Sequence, residues 1–228
     1  MHAGVPEGLG DRLVTWRAKI SAGVPLGLLL TGLLVLLNAI LLNWLNTGAL
    51  RTQQISFLTF LMALAVLASV PVLVILVYHT LSCLTLRYYL DRNGISVRWF
   101  GARQDIPVRD VQRIVTGELL GGTIVRRRGV HWPGHERGEG LVPGIGRTRF
   151  LATQPLQSQL LVVAPGLAYG ISPRDPEGFL QAFEARRELG PNRLLAMDAR
   201  RAGWLTWPLW ADQTAWVLLG LAILINLG

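Results

Sequence analysis

Two long apolar runs occupy the first third of the chain, at residues 24–45 and 55–77, and a short polar stretch carrying Arg51 separates them. Each run holds about 22 residues, or about 33 Å of α-helix, which matches the roughly 30 Å hydrocarbon core of a bilayer. Neither run contains Asp, Glu, Lys or Arg. The pattern therefore predicts a transmembrane helical hairpin at residues 21–81, preceded by a cytoplasmic segment at residues 1–20.

The basic residues around the two runs are distributed unevenly. Arg51 alone lies between the runs, whereas the flanking segments contain Arg12, Arg17, Lys19, Arg87, Arg92 and Arg98. Under the positive-inside rule, both ends of the hairpin are cytoplasmic and the chain is a multi-pass protein of the inner cell membrane. A cleaved signal peptide is the alternative for the first run. That run is longer than the roughly 7 to 15 apolar residues of a signal sequence, and no small-residue cleavage site follows it.

A third apolar stretch covers residues 204–228, where Pro208 and Asp212 interrupt the pattern. Counted from residue 205 it is long enough to cross a bilayer, but from residue 214 it has about 15 residues, short of the usual minimum of about 17. Indole rings favour the membrane–water interface, so we expect a third transmembrane helix with tryptophans at its entry. The expected interface anchors of the chain are Trp44, Trp204, Trp207 and Trp210.

Small side chains recur at helical spacing in the first two runs. Small residues let the backbones of membrane helices approach, and polar side chains form hydrogen bonds between them. The spacing predicts that the two helices pack against each other; the alternative is a face that docks other membrane subunits. The predicted packing residues are Gly23, Gly27, Thr31, Asn38, Ala65 and Ser69.

Alternation of apolar and polar residues replaces the long runs after the second helix. Residues 84–90 and 95–100 alternate on either side of Asn93-Gly94, a dipeptide typical of β-hairpin turns. Further short strands are predicted at residues 104–106, 123–127, 148–153, 159–164 and 167–172, and a Pro-started segment covers residues 108–115. Such closely spaced strands favour an antiparallel β-domain over a βαβ design.

One amphipathic helix closes this domain. Asp175 is expected to cap it, and Pro176 suits its first turn. An apolar stripe follows, and the helix is expected to end at Gly190. The polar domain therefore covers residues 82–190, and residues 191–203 are a linker to the third apolar stretch.

Four motifs of this domain carry a resemblance to a known family. They are Leu90-Asp91-Arg92-Asn93-Gly94-Ile95, Ile106-Pro107, Phe150-Leu151-Ala152-Thr153, and Ile171-Ser172-Pro173-Arg174-Asp175-Pro176 with Phe179. Together they resemble the bacterial pleckstrin-homology-like (PH-like) family, in the form where membrane helices precede the domain. The resemblance implies two nearly orthogonal antiparallel sheets capped by a C-terminal helix. It also implies a fold used as a binding platform for lipids, peptides or proteins.

The first hairpin loop departs from one branch of that family. Eukaryotic relatives that hold phosphoinositides use a basic first loop to do so. Here the loop is Arg92-Asn93-Gly94, which is too tight to wrap a headgroup. Recognition of one specific lipid headgroup by this loop is therefore not expected.

The segment at residues 129–147 is rich in glycine and lacks a strand pattern. Long loops are often functional or ordered by a partner, so we expect an interaction surface here. For the arginine triplet at residues 126–128, just before this segment, solvated surface charge is the default and contact with anionic lipid is the alternative. A zinc site is not expected, because Pro133 and Gly134 separate two histidines and oppose helical i, i+4 geometry. The predicted surface residues are Arg126, Arg127, Arg128, His131, Trp132, His135 and Arg147.

The composition agrees with a basic membrane protein, since 51% of the residues are hydrophobic and the formal net charge is +8. Lys19 is the only lysine among 22 basic residues, a bias that genome base composition also produces. Net charge without a recognisable reading motif does not predict nucleic-acid binding. The single cysteine, Cys83, cannot form an intramolecular disulfide.

Sequence signatures of catalysis such as Gly-x-Ser-x-Gly and His-Glu-x-x-His do not occur in the chain. We therefore expect a non-enzymatic, membrane-anchored adaptor or scaffold that binds a protein partner without a metal, cofactor or small-molecule substrate. Two alternatives stay open: an accessory subunit of a larger membrane complex, which would contact other membrane subunits, and a sensor of anionic lipid surfaces. Membrane lipids are expected partners in every case, and nucleic acid is not.

Overall fold

The computed structural model describes residues 13–50, 56–120, 125–128, 131–132 and 134–200. Within them, two long apolar helices precede an antiparallel β-domain closed by one further helix, as the sequence predicts. Three predictions lie outside the described residues: the third transmembrane helix, its anchors Trp204, Trp207 and Trp210, and the position of Arg51 in the hairpin loop.

The two apolar runs form helices α1, Gly23–Trp44, and α2, Phe57–Thr85. Ser56 caps α2, since its hydroxyl accepts the Thr59 backbone N–H at 3.2 Å. Most apolar side chains of both helices are exposed. By length and composition, both helices are able to cross a membrane.

Five strands form an antiparallel sheet in the order β1-β2-β3-β4-β12. They are β1 (Val14–Arg17), β2 (Arg87–Leu90), β3 (Gly94–Trp99), β4 (Ala102–Pro107) and β12 (Asp198–Arg200). The edge strands β1 and β12 come from segments that the sequence analysis placed outside the domain. Both are short and largely exposed, so apolar alternation does not reveal them. Their ladders with β2 and β4 hold them in the sheet.

A second sheet has the strand order β5-β10-β11-β9-β8-β6, with β7 paired to β8. Its strands are β5 (Arg113–Thr116), β6 (Val125–Arg128), β7 (His131–Trp132), β8 (His135–Val142), β9 (Gly146–Ala152), β10 (Leu160–Ala164) and β11 (Leu167–Ile171). Neighbouring strands are antiparallel except β9 and β11, which are parallel.

The segment at residues 129–147 is not the irregular loop that its sequence predicts, because it contains β7 and β8. The ladder of β8 with β9 extends from the pair Glu136 and Ala152 to the pair Val142 and Gly146. Glycines and charges weaken the local strand pattern, but a long neighbouring strand supplies the backbone hydrogen bonds.

The core lies between the two sheets and beneath α3, Pro176–Leu189. Asp175 caps α3 as predicted, and its carboxylate accepts a backbone N–H at 2.9 Å. Phe179 and Phe183 on the inner face of α3 are fully buried. The Trp16 ring of β1 meets Phe179 edge-on, with 5.8 Å between ring centroids. The N-terminal strand and the closing helix therefore share one core.

Candidate functional site at the helix–sheet junction

Both ends of the helical hairpin are fastened to the five-stranded sheet. β1 precedes α1, β2 follows α2, and Arg17 pairs with Arg87 across the two strands. The Lys19 N–H donates to the Ser172 carbonyl at 3.0 Å, and the Thr153 hydroxyl donates to the Lys19 carbonyl at 2.6 Å. These bonds fix the segment before α1 against the β-domain.

The last two turns of α2 pack against the β-domain and are largely buried, unlike the rest of the helix. The Tyr78 ring meets the Phe100 ring edge-on, with centroids 5.7 Å apart. The Phe100 N–H donates to the Thr85 hydroxyl at 2.9 Å. The turn between β3 and β4 therefore rests directly on the end of α2.

The backbone turn between β7 and β8 also contacts the helices. Gly134 has a φ of 74°, and a Cβ there would collide with the Ser21 side chain and lie 2.9 Å from the Gly23 nitrogen. The Cys83 sulfur lies 3.8 Å from the Gly134 carbonyl oxygen. Glycine suits this position for its left-handed backbone and for its small volume. Part of the predicted interaction segment thus packs on the chain's own helices.

An open cleft of about 590 Å³ lies between the two sheets beside this junction. Its polar and aromatic lining includes Trp99, Gln104, Arg137, Glu139 and Arg149. The described lining contains no Ser, Cys or His, which are the usual nucleophiles and bases of enzymes. Arg137 and Arg149 in the lining carry N–H donors that suit an anionic group.

Two arginines hold Glu139 in the cleft. Arg149 donates from Nε and Nη2 to one carboxylate oxygen at 3.1 and 2.5 Å, and Arg147 donates to the other oxygen at 3.3 Å. The hydrogen bond from Arg149 is the largest cause that lowers the pKa of Glu139. Arg149 also donates to Gln104 Oε1 at 3.1 Å, which connects β9 to β4 between the two sheets.

Arg137 differs from these arginines, because no carboxylate of the described residues pairs with it. Its guanidinium carbon lies 4.7 Å from the centroid of the Trp99 ring, and its Nη1 donates to the Tyr78 hydroxyl at 2.5 Å. A guanidinium carries five N–H donors in a planar fork that suits carboxylates and phosphates. Arg137 therefore keeps donors for an anionic group that enters the cleft.

The residues of the predicted interaction surface lie on four strands of the second sheet. Arg126, Arg127 and Arg128 are in β6, His131 and Trp132 form β7, His135 begins β8, and Arg147 is in β9. Both β6 and β7 pair with β8, where Arg128 is opposite Glu139 and Trp132 is opposite His135. The cleft and this surface therefore share β8.

The predicted packing residues of the helices occupy different surroundings. Ser69 Oγ donates to Asn38 Oδ1 at 2.8 Å, and a Cβ at Gly27 would collide with Thr80 Oγ1. These two contacts place α1 and α2 side by side in antiparallel directions. Among the other predicted residues, Gly23 is buried, Thr31 is half-buried, Ala65 is exposed, and Trp44 is exposed at the far end of α1.

The sequence pattern does not single out Trp99, Arg137 or Arg149. They come from three strands, and only the packing of one sheet on the other brings them to the same cleft. One feature of the sequence could have pointed to this site, namely the aromatic pair Trp99-Phe100. The pair ends the predicted hairpin, next to the place where the hairpin's first strand leaves the second apolar run.

Comparison with protein families agrees with this fold. The family model described as Bacterial PH domain matches residues 86–187. The match includes β2 to β11 and most of α3, and it leaves out β1, the two long helices and β12. No curated protein and no solved structure matches the chain. Residues 86–187 are therefore similar to a bacterial PH domain, and a PH-like fold suggests a binding or adaptor role.

Proposed function

We propose that this chain is a non-enzymatic, membrane-anchored PH-like adaptor that binds a protein partner at the cytoplasmic face of the inner cell membrane. The observation that carries the proposal is the junction at Arg17 and Arg87, where paired strands join an exposed apolar hairpin to a PH-like domain with an open basic cleft. Anchor and binding site are neighbours in space, so a partner bound in the cleft is held at the membrane surface.

The exposed faces of α1 and α2 support the anchor. Large apolar side chains cover both helices from Leu28 to Val77, and a contiguous apolar surface of this size is unfavourable in water. Bilayer lipid matches it, because the described parts of both helices carry no Asp, Glu, Lys or Arg. Arg17, Lys19 and Arg87 next to the helix ends favour a cytoplasmic domain.

The charges in the cleft support an acidic segment of a protein as the partner. Two arginines whose side chains face the cleft, Arg137 and Arg149, line it together with one carboxylate, Glu139. A carboxylate entering the cleft would accept two N–H donors from Arg137, and an apolar neighbour of that carboxylate would pack on Trp99. Charge-assisted pairing of this kind gives both affinity and orientation to a peptide segment.

The test is native mass spectrometry of the full chain isolated from its own membranes in mild detergent, as wild type, Arg137→Gln and Arg113→Gln. Arg113 is exposed on β5, outside the cleft lining. Arg113→Gln therefore removes the same charge as Arg137→Gln but leaves the cleft intact. We expect wild type and Arg113→Gln to carry the same protein in fixed stoichiometry, and Arg137→Gln to lose most of it.

Thermal unfolding of the three proteins checks that Arg137→Gln keeps its fold, since Arg137 also contacts Tyr78. A wild-type chain found only as a monomer would contradict the adaptor role. A partner retained equally by all three proteins would place the binding surface outside the cleft.

A further inference from the structure

Five arginines stand side by side across the five-stranded sheet, one on each strand. The strand registers align, in order, Arg17, Arg87, Arg98, Arg103 and Arg200. Neighbouring strands lie about 4.8 Å apart, so this alignment extends about 19 Å across the sheet. We refer to these five residues as the arginine row.

The arginine row lies on the outer face of the sheet. Register partners share one face, and the residues next to the row along the strands, such as Tyr88 and Val97, are buried in the core. The arginines of the row are exposed except Arg103, which is half-buried. The row is therefore a continuous band of arginine side chains on the surface.

Two members of the row are neutralised within the chain. Arg103 pairs with Asp105 at 2.7 Å, and Arg200 pairs with Asp198 at 2.9 Å. Both carboxylates lie on the same strands as their arginines and on the same outer face, because Asp105 and Asp198 are themselves register partners.

The other three members have no carboxylate partner among the described residues. They are Arg17, Arg87 and Arg98, on adjacent strands, and Arg98 instead lies over the Tyr89 ring at 4.6 Å. Like charges directly opposite one another destabilise a sheet. This arrangement therefore favours negative charge supplied from outside the described residues.

The row crosses the strands at the end of the sheet that is next to the helices. Arg87 comes two residues after the end of α2 at Thr85. Arg98 and Arg103 flank the turn whose Phe100 N–H is bound to Thr85. At about 3.3 Å per residue, these arginines lie within about 10 Å of the end of α2. Headgroups of a bilayer spanned by α1 and α2 would lie next to them.

We propose that the arginine row binds the phosphates of anionic lipid headgroups and sets the outer face of the five-stranded sheet against the bilayer. Guanidinium groups bind phosphate through paired N–H donors, and charge complementarity favours a surface of many phosphates over a single ligand for a band of this length. The proposal goes beyond partner binding in the cleft and depends on the proposed function only through the membrane placement of α1 and α2.

The experiment uses the full chain in nanodiscs of phosphatidylcholine, with and without added phosphatidylglycerol, and measures the midpoint of thermal unfolding at low and high salt. The row variant is Arg17→Gln/Arg87→Gln/Arg98→Gln. The control variant is Arg113→Gln/Arg187→Gln/Arg193→Gln, which removes the same charge from exposed positions. Arg193 bonds Asn93 at 2.8 Å, in the turn at the opposite end of β2. The four residues of β2 place this turn more than about 10 Å from Arg87, and charges at that separation are largely screened because the Debye length is about 8–10 Å.

We expect the row variant to shift the midpoint in opposite directions in the two lipids. In neutral lipid it should unfold at the same temperature as wild type or higher, because repulsion within the row is relieved. In anionic lipid it should unfold at a lower temperature, because headgroups that bind only the folded state stabilise it. High salt should shrink both shifts, and the control variant should show neither.

Shifts of the same sign in both lipids would overturn the proposal and would point to an acidic protein surface as the occupant of the row. The same pair of opposite shifts in the control variant would also overturn it, since overall charge would then explain the effect. A chain that does not insert into nanodiscs would contradict the membrane anchor itself, which separates that failure from the failure of headgroup binding.

Discussion

Arg17 and Arg87 are antiparallel register partners, although the whole helical hairpin lies between them in the sequence. Register partners have Cα atoms about 4.5–5.5 Å apart, so the chain leaves the sheet into α1 and returns from α2 at one place. Any bilayer that the hairpin spans is crossed twice between these two residues. Strand pairing therefore supports, independently of the positive-inside rule, an N-terminal segment and a PH-like domain on the same side.

Gly27→Ala should weaken the packing of α1 on α2. The added Cβ would collide with Thr80 Oγ1, and that hydroxyl is held by a hydrogen bond to the Leu76 carbonyl at 2.8 Å. Overpacking of a tight contact costs about 1–3 kcal/mol. We expect a loss of this size in the free energy of unfolding, measured by denaturation of the full chain in mixed micelles.

Gly32→Ala is the matched control on the same helix, because a Cβ at Gly32 meets no atom within 4 Å. Alanine favours helix over glycine at both positions, so the difference between the two variants isolates the collision. The double variant Gly27→Ala/Thr80→Ala should recover part of the loss. Equal unfolding free energies for the two single variants would contradict close packing at Gly27.

Asn38 and Ser69 should show energetic coupling across the hairpin. Their side chains share the hydrogen bond of 2.8 Å between α1 and α2, and such bonds in membrane helices contribute about 0.6 kcal/mol on average, up to about 1.7. A double-mutant cycle of Asn38→Ala and Ser69→Ala measures this coupling directly. Strict additivity of the two substitutions would show that the bond does not stabilise the hairpin.

Tyr88→Phe should destabilise the β-domain by about 1–3 kcal/mol, the usual cost of leaving buried polar groups unpaired. The Tyr88 hydroxyl donates to the Leu151 carbonyl at 2.9 Å and accepts the Ser172 N–H at 3.0 Å. Urea denaturation followed by near-UV circular dichroism measures the change. Tyr89→Phe is the control, since this neighbouring ring is half-buried, and a change within about 0.5 kcal/mol is expected there.

Stability of the β-domain should also fall in alkaline solution through the same residue. Burial raises the pKa of Tyr88 from 10.0 to about 12. Between these values the unfolded chain loses the phenol proton and the folded chain keeps it, so the unfolding free energy falls as pH rises. Tyr88→Phe should remove this slope between about pH 10 and 12. An unchanged slope in the variant would assign the alkaline loss to other groups.

Glu139 should contribute a small acid-dependent stability. Its pKa is lowered from 4.5, chiefly by the hydrogen bond from Arg149, so its ion pairs stabilise the fold above about pH 4.5 and are lost as pH falls through the lowered value. The carboxylate is 38% exposed, so at most about 1 kcal/mol is expected. Glu139→Gln should flatten the acid limb of the stability curve, and Glu188→Gln, at an exposed site on α3, should leave it unchanged.

The local sequence was sufficient for the elements whose stabilising contacts are close in the chain or come from the surroundings. The apolar runs predict α1 and α2, because their length and lack of charge suit an apolar medium. Asp175 and Pro176 predict the start of α3, because a cap acts within one turn. The Asn93-Gly94 turn predicts the hairpin of β2 and β3. The structure confirms these elements and the antiparallel β-domain that the family resemblance implied.

Only the tertiary structure decided the places of β1, β8 and β12, the cleft, and the arginine row. Edge strands and a glycine-rich strand have weak patterns of their own, and their hydrogen bonds come from partners distant in the chain. A slip of one residue in any ladder would turn that strand's arginine to the opposite face. The sequence by itself determined two apolar helices and an arginine-rich β-domain. Long-range strand register decided which arginines stand together and that they lie next to the helices.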